Sequence, residues 1–258
     1  MTDVTISVVA HKQLDDLQKL MPSLLEAAGK VSSEVLVVDN RSNDGTADYL
    51  ADLGGRISAL HNPRRAGYGE NHNLNLRRAS GRYFVIMNAD MIVGADVFLR
   101  LYEFMEQNPS IGMVAPKMLN PDGTLQPFNR RLPTLTDLFL RRFAPRWMQR
   151  RFRLRLEAYE MLDVGYERIC DVPFLSGAFL FCRTEVLRAI GGFDERYFLY
   201  FEDVDLCRRV ARTHRTVFFP GAMVTHVWKR AAHKDWRFTW YFMQSMAKYF
   251  LRWGIRLS

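Results

Sequence analysis

The chain has 258 residues and a formal net charge of +8, and 48% of its residues are hydrophobic. With 13% aromatic residues, this content can bury a sizeable core, which excludes a disordered polypeptide. The three cysteines show no CxxC spacing, so we expect neither a disulfide framework nor a cysteine metal cage, and a cytosolic compartment is favoured. We also expect no signal peptide and no membrane-spanning helix, since no stretch approaches roughly 18 apolar residues.

The first 90 residues alternate apolar strands with amphipathic helices. The predicted strands are 5–10, 34–40, 57–61 and 83–87, and the predicted helices are 14–29, 47–53 and 74–79. This order predicts an α/β fold with a Rossmann-like, mostly parallel sheet and helices on both faces. Ligands of such sheets bind outside the carboxyl ends of the strands. The GxGxxG and GxxxxGK[ST] motifs are absent, which disfavours dinucleotide-dependent oxidoreductases and P-loop NTPases.

The second half is less regular. We expect a hairpin over 111–135, a helical stretch over 136–162, a strand over 172–183, helices over 184–190 and 203–213, short strands at 217–219 and 223–226, and a helix over 236–253. The predicted organisation is a nucleotide-sugar-binding half (1–110), an acceptor-binding and catalytic half of the same domain (111–230, with the basic segment 127–156), and a basic amphipathic C-terminal helix (231–258).

Asn88-Ala89-Asp90 ends an apolar strand. A carboxylate there can bind a divalent metal that bridges two phosphates, whereas the structural alternative is an Asx turn that ends the strand. His226 also ends a predicted strand. It is either a buried structural histidine or a second metal ligand or diphosphate contact.

Glu202-Asp203 follows an aromatic run and precedes a predicted helix. One of these acids could cap the helix, or it could act as a general base with a raised pKa against an aromatic wall. Upstream of these acids lie Ser176 and Gly177, where small residues would let the backbone approach a sugar closely or simply form a tight bend.

In combination, these motifs resemble the family 2 glycosyltransferases with the GT-A fold, and among them the rhamnosyltransferases that build bacterial surface polysaccharides. The resemblance runs in order through Ser7-Val8-Val9, 37–46, Gly67-Tyr68-Gly69…Asn73, Asn88-Ala89-Asp90, Ser176-Gly177-Ala178, 191–195 and 201–209. It implies an inverting hexosyl transfer from a nucleotide-diphosphate sugar, with thymidine-diphosphate rhamnose our first choice, to a hydroxyl of a lipid-linked or polysaccharide acceptor.

The resemblance also implies roles for individual residues. Asp203 would be the base, with Glu202 as the fallback, and Asp90 and His226 would bind Mg²⁺ or Mn²⁺. The first acid of the family's DxD motif is replaced by Asn88, which lowers the negative charge of the site. The donor or acceptor would be bound by a larger set: Ala10, His11, Asp39, Asn40, Gly67, Asn73, Asn88, Ser176 and Gly177.

Positive charge is concentrated in two segments. Residues 127–156 hold nine arginines and one acid, and residues 227–258 hold seven basic residues and one acid, while the rest of the chain has more acids than basic residues. The interleaved aromatics predict peripheral binding to an anionic membrane surface, at the inner face of the cell membrane. For these segments, the structural alternative is a helix whose aromatic residues pack on the body. For the protein as a whole, the alternatives to a glycosyltransferase are a nucleotidyltransferase and a nucleic-acid-binding module, which we disfavour because no nucleic-acid-binding motif is present.

Overall fold

The computed structural model describes residues 2–227 and 236–256. Its strands are β1 (Val4–Ala10), β2 (Ser33–Asp39), β3 (Ser58–His61), β4 (Tyr83–Asn88), β5 (Met91–Val93), β6 (Ile111–Leu119), β7 (Cys170–Asp171), β8 (Phe179–Arg183) and β9 (Arg215–His226). Its helices are α1 (Leu14–Ala28), α2 (Thr46–Asp52), α3 (Tyr68–Arg78), α4 (Val97–Gln107), α5 (Leu135–Arg142), α6 (Arg146–Arg151), α7 (Arg153–Tyr159), α8 (Thr184–Ala189), α9 (Glu202–Val210) and α10 (Trp236–Trp253). The strands form one mixed sheet in the order β3-β2-β1-β4-β8-β6-β9-β5, and β7 also pairs with β9.

The four strands β1 to β4 are parallel, as their apolar sequences predict. Side chains alternate across the sheet, so that Tyr83, Val85 and Met87 of β4 enter one core while Phe84 and Ile86 enter the core on the opposite face. Helices cover both faces, and the predicted α/β architecture is confirmed.

The hairpin expected over 111–135 is wrong. β6 pairs antiparallel with β8 and parallel with β9, and only an isolated bridge joins Leu119 to Leu125 around the turn. The two short strands expected near the C-terminus form one strand, β9, with an irregular register opposite Pro116 and Lys117. The turn sequence in this range therefore predicted a loop correctly, but it did not show which strands pair with β6.

Other differences concern element bounds. Helix α3 begins at Tyr68 rather than at 74, and neither β5 nor α4 was expected. The helical stretch expected over 136–162 is three short helices. Pro145 is the N-cap residue of α6. Because proline has no backbone N–H, a helix cannot continue through it from the preceding residues, and Phe152, whose backbone angles are not helical, separates α6 from α7.

Helix α10 packs by one face against the body. Its Phe242, Tyr249 and Phe250 form a third apolar cluster with Phe201 and Val204. The expected C-terminal segment 231–258 is only partly covered, because 228–235 and 257–258 lie outside the described residues. Within the described ranges, no helix is long and apolar enough to cross a membrane.

Candidate functional site

The carboxyl ends of β1, β2 and β4 lie side by side, with Ala10 in register with Asp39 and Val9 in register with Asn88. Asp39 is only 1% exposed. Its Oδ1 accepts from the Ser42 N–H at 2.8 Å, and its Oδ2 lies 2.7 Å from His61 Nδ1. Both carboxylate oxygens are thus held from within the protein at the sheet edge where ligands of parallel sheets bind.

Asn40 connects this edge to the loop before α3. Its side-chain amide donates to the Ala66 carbonyl at 3.0 Å and accepts from the Ala66 N–H at 2.8 Å. Its backbone N–H donates to the Ala10 carbonyl, and its own carbonyl lies 2.8 Å from His11 Nδ1. Asn40 therefore fixes the edge, while the half-exposed His11 borders it.

Gly67 lies where α3 meets the segment 196–201, which we call the 196–201 loop. A Cβ at Gly67 would lie 2.9 Å from the Tyr197 carbonyl oxygen and 3.0 Å from Phe198 Cα. The next N–H, of Tyr68, donates to the Phe198 carbonyl at 2.9 Å. Glycine is required here because two stretches of backbone touch.

Asn73 does not present a free amide to the sheet edge. Its Oδ1 accepts from the Phe193 N–H at 2.8 Å, and its Nδ2 donates to the Phe193 carbonyl at 2.9 Å. Both ends of the amide are used to hold the segment that follows α8. The expectation that Asn73 lines the nucleotide pocket gains no support from this geometry, which instead fits a structural role.

Asp90 and His226 come together although they are far apart in sequence. β5 pairs antiparallel with β9, which places Met91 opposite His226 and brings Asp90 Oδ1 within 3.3 Å of His226 Nε2. Both atoms are buried, and neither has a hydrogen-bond partner in the described structure. Asn88 is half-buried, and its backbone N–H donates to the Ala178 carbonyl.

The tautomer of His226 follows from its other nitrogen. His226 Nδ1 lies 2.8 Å from Gln126 Oε1, an oxygen that can only accept, so Nδ1 carries the proton. With Nδ1 protonated, the neutral form of His226 turns its Nε2 lone pair towards Asp90 Oδ1, 3.3 Å away. Two facing acceptors suit a shared cation, as does the combination of imidazole with carboxylate. Within the described ranges, no group of three or more His, Cys, Asp or Glu side chains could hold a metal.

Gly177 contacts Asp203 directly. Its N–H donates to Asp203 Oδ2 at 3.1 Å, and a Cβ at Gly177 would lie 3.0 Å from the Cβ of Asp203. Asp203 Oδ1 accepts from the Val204 N–H at 2.9 Å. The small residue is therefore needed for the approach of a carboxylate, where the sequence suggested the approach of a sugar. The neighbouring Ser176 is half-buried.

Both acids at the start of α9 have raised pKa values. Burial raises the pKa of Glu202 well above its usual range, and the nearby charge of Asp203 raises it further. Burial also raises the pKa of Asp203, against the N–H donors of Gly177 and Val204. Glu202 is buried with Oε2 unpartnered among the described atoms, whereas Asp203 is half-exposed. Asp203 is thus the better placed of the two to carry a charge and meet a ligand.

Tyr68 was not singled out as a site residue from the sequence. It contacts Gly177, the residue whose N–H binds Asp203. Its hydroxyl donates to the Gly177 carbonyl at 2.8 Å. Burial raises the pKa of Tyr68 well above its usual range, and the charges of Glu202, Asp203 and Asp90 add to the effect. Tyr68 thus lies beside Gly177, the residue whose N–H binds Asp203, within the electrostatic reach of these three carboxylates. Nothing in the spacing of an aromatic residue within a glycine-rich loop indicates such a position.

The backbone before Glu202 is strained. Tyr200 and Phe201 adopt the left-handed region with φ of 68° and 65°, which costs about 1–2 kcal/mol for each non-glycine residue. Strain of this kind persists only where the surroundings impose it, and it is typical of functional sites. It directs the first turn of α9 towards Gly177.

In the structure, acidic partners offset part of the positive charge of the basic segment 127–156. Five of its arginines pair with four acids, and three of these acids lie just beyond the segment, at 157, 160 and 163. Arg146, Arg150 and Arg151 of α6 show no acidic partner in the part of the chain that is described. They lie near exposed aromatic residues, of which Trp147 is 67% exposed.

Comparison with known proteins identifies the family. A model of Glycosyl transferase family 2 matches residues 5–191. An N-acetylglucosaminyl-diphospho-decaprenol L-rhamnosyltransferase of Mycobacterium tuberculosis is 29% identical over 245 residues, 88% of this chain and 76% of that protein. Rhamnosyltransferase WbbL of Escherichia coli is 24% identical over 266 residues, 96% of this chain and 93% of that protein.

Solved structures agree on the fold. The mannosyltransferase PcManGT of Pyrobaculum calidifontis, in complex with GDP-Man and Mn²⁺, has a TM-score of 0.64 at 19% identity over 95% of this chain and 63% of that one. TarS of S. aureus has a TM-score of 0.63 at 15% identity over 88% of this chain and 37% of that one. The chain thus spans less than two thirds of either solved chain, and its fold is GT-A. Since the family model covers most of the chain, this protein belongs to glycosyltransferase family 2 and is a glycosyltransferase.

Proposed function

We propose that the protein transfers a hexose from a nucleotide-diphosphate sugar to an acceptor hydroxyl with inversion, and that Asp203 is the base. The observation that carries this proposal is that the neighbouring residues 177 and 178 contact both acidic segments: the Gly177 N–H donates to Asp203 Oδ2, and the Ala178 carbonyl accepts from the N–H of Asn88, two residues before Asp90. This arrangement supports a proton acceptor and a cation-binding carboxylate in one site, which a single displacement at a sugar carbon requires.

The reaction is one displacement. The acceptor oxygen attacks the anomeric carbon opposite the diphosphate, and the bond from that carbon to the diphosphate oxygen breaks. The nucleoside diphosphate leaves with the electron pair, and the acceptor proton passes to Asp203. The Gly177 and Val204 N–H groups hold the carboxylate for this step, and burial, which raises the pKa of Glu202, favours the protonated form of that neighbour.

Asp90 and His226 would hold the divalent cation, Mg²⁺ or Mn²⁺. Their facing, unpartnered Oδ1 and Nε2 atoms support this assignment. When bound, the cation supplies positive charge to the departing diphosphate. Asn88 leaves the site with one carboxylate fewer than a DxD pair would supply.

The donor would bind at the edge formed by β1 and β2. Asp39 and Asn40 are fixed there by internal hydrogen bonds, and Ala10 and His11 border the same edge. Gly67, Ser176 and Gly177 bring backbone close to the reacting groups. We choose rhamnose as the donor sugar and a lipid-linked glycan as the acceptor, because two relatives are named as rhamnosyltransferases and one name includes a diphospho-decaprenol sugar. The pathway would be cell-surface glycan synthesis.

A membrane-facing surface would bring the enzyme to such an acceptor. Phe143 and Trp147 are exposed beside the arginines of α6, which have no acidic partner among the described residues, and Trp236 and Trp240 of α10 are 73% and 56% exposed. Arg142 joins the two groups through its contact with Thr239 and its position over the Phe242 ring. Aromatic residues mixed with cations suit the interface of an anionic bilayer, at about 1 kcal/mol for each basic residue. The enzyme would then be a cytoplasmic protein bound peripherally to the inner membrane face.

A donor screen tests the proposed reaction. Thymidine-diphosphate rhamnose, UDP-sugars and GDP-mannose are compared by release of nucleoside diphosphate, with Mg²⁺, Mn²⁺ or EDTA. We expect release to be fastest with the rhamnose donor and to need the cation. Faster turnover of another donor would overturn the choice of rhamnose, and full activity in EDTA would overturn the cation site.

Sedimentation with vesicles tests the membrane surface separately. At low salt we expect the protein to sediment with anionic vesicles and to stay in solution with neutral ones. The double variant Trp147→Ala, Trp240→Ala should lose this binding. Equal recovery with both vesicle types would exclude the surface.

A further inference from the structure

Helix α10 contacts the backbone of the 196–201 loop directly. Ser245 Oγ donates to the Leu199 carbonyl at 2.9 Å, and Lys248 Nζ donates to the Arg196 carbonyl at 2.6 Å. These bonds reach the main chain immediately before the strained residues 200 and 201. The helix therefore restrains the segment that leads into the first turn of α9.

Aromatic packing reinforces these bonds. The Phe201 ring lies 5.3 Å from the rings of both Phe242 and Tyr249, and the Phe198 ring lies 4.6 Å from that of Tyr241. Phe201 is the residue before Glu202, and its backbone is left-handed. The packing of its side chain on α10 thus stabilises an otherwise unfavourable backbone conformation.

The end of α10 binds α9 itself. Asp205 is fully buried two residues beyond Asp203, and its Oδ1 accepts from Trp253 Nε1 at 2.8 Å. Its Oδ2 accepts from Arg209 at 2.7 Å, and Arg252 lies 3.2 Å from Oδ1. A buried carboxylate requires such partners, so Asp205 fixes α9 and α10 to each other.

The opposite side of the loop touches α3. The backbone of Gly67 and Tyr68 packs on residues 197 and 198 without room for a Cβ at Gly67. The loop is therefore held between α3, on the donor side, and α10.

We propose that α10 is the positioning helix of the catalytic base, and that Trp253, through Asp205, and Ser245, through Leu199, are positioning residues for Asp203. This inference rests on the proposed role of Asp203. Neither residue touches the substrate: Trp253 orients the helix that carries the base, and Ser245 orients the strained loop before it.

Trp253→Phe tests the inference, because it removes the N–H donor and keeps an aromatic ring beside Arg208 and Arg212. We expect kcat to fall about tenfold, which corresponds to about 1.4 kcal/mol, with the donor KM changed by less than about twofold. We also expect the acidic limb of the kcat profile to move to higher pH, because a displaced Asp203 loses part of its contact with the Gly177 N–H.

Ser245→Ala is the milder second variant, in case Trp253→Phe does not fold. It should lower kcat by about threefold with the same shift of the acidic limb. Leu251→Ala is the matched control on the same helix, since that side chain is 87% exposed and should change neither quantity.

The outcomes separate this inference from the proposed reaction. If the Phe and Ala variants lose thermal stability but keep the wild-type kcat and pH profile, α10 has only a structural role and the inference is refuted. If Asp203→Asn itself retains turnover, the assignment of the base fails first.

Discussion

Replacing Asp203 by Asn is the most direct test of the mechanism. The change keeps the size of the side chain and removes its charge and its ability to take a proton. A general base contributes about 10²–10⁴-fold, so we expect kcat to fall by that factor, or about 3–5 kcal/mol of barrier. Donor affinity should change little, since the hydrogen bonds of Asp203 within the described residues are to the Gly177 and Val204 N–H groups, away from the β1–β2 edge proposed to bind the donor.

The structure also predicts a small effect on stability. An Asn oxygen can accept one of the two N–H bonds, and the loss of the other costs about 1–2 kcal/mol. Removing the charge offsets this loss, because burial raises the pKa of Asp203 and so disfavours its ionised form. We therefore expect Tm to change by no more than about 5 °C.

The assay measures nucleoside diphosphate release and donor binding on the same preparations. Asp48→Asn is the control, because Asp48 is an exposed acid in the first turn of α2 and the exchange is chemically identical. Near-normal turnover by Asp203→Asn, with normal donor binding, would refute the assignment and make Glu202 the base to test next.

Three further changes test other parts of the site. The raised pKa of Glu202 means that the folded protein binds its proton more tightly than the unfolded chain does, so stability falls as pH rises above about 4.5. Between about pH 5 and pH 8, the Tm of Glu202→Gln should fall less than the Tm of the wild type, and parallel curves of Tm against pH would contradict this. Asp90→Asn should raise the Mn²⁺ concentration needed for half-maximal activity at least about tenfold, measured by titration after EDTA treatment, and an unchanged midpoint would exclude Asp90 as a ligand. Gly67→Ala should lower the free energy of unfolding by about 1–3 kcal/mol, because its Cβ meets backbone at 2.9 Å. Gly55→Ala, which meets nothing within 4 Å, is the control, and equal Tm values would contradict the steric reasoning.

The apolar strand sequences were enough to predict the parallel half of the sheet. Runs such as Val35–Val38 fit only a strand buried on both faces, and polar residues follow where these strands end. The ordered motifs also indicated the family, because Asp39, Asp90 and Glu202-Asp203 occur in order at the ends of predicted elements.

What the sequence left open were contacts between distant segments. Asp90 and His226 meet because β5 pairs with β9, and no local pattern encodes the pairing of a three-residue strand. The arginines of 127–156 looked unpaired because sequence counts include no partners from the following residues 157, 160 and 163.

The sequence by itself thus determined which residues could carry the chemistry, since burial patterns and motif order are local properties of the chain. Only the tertiary structure decided how they are held. Gly177 has no room for a side chain because Asp203 occupies that space. The strained backbone before α9 persists because α3 and α10 pack on either side of it. Such contacts form when elements far apart in sequence share a core, and local sequence patterns do not encode them.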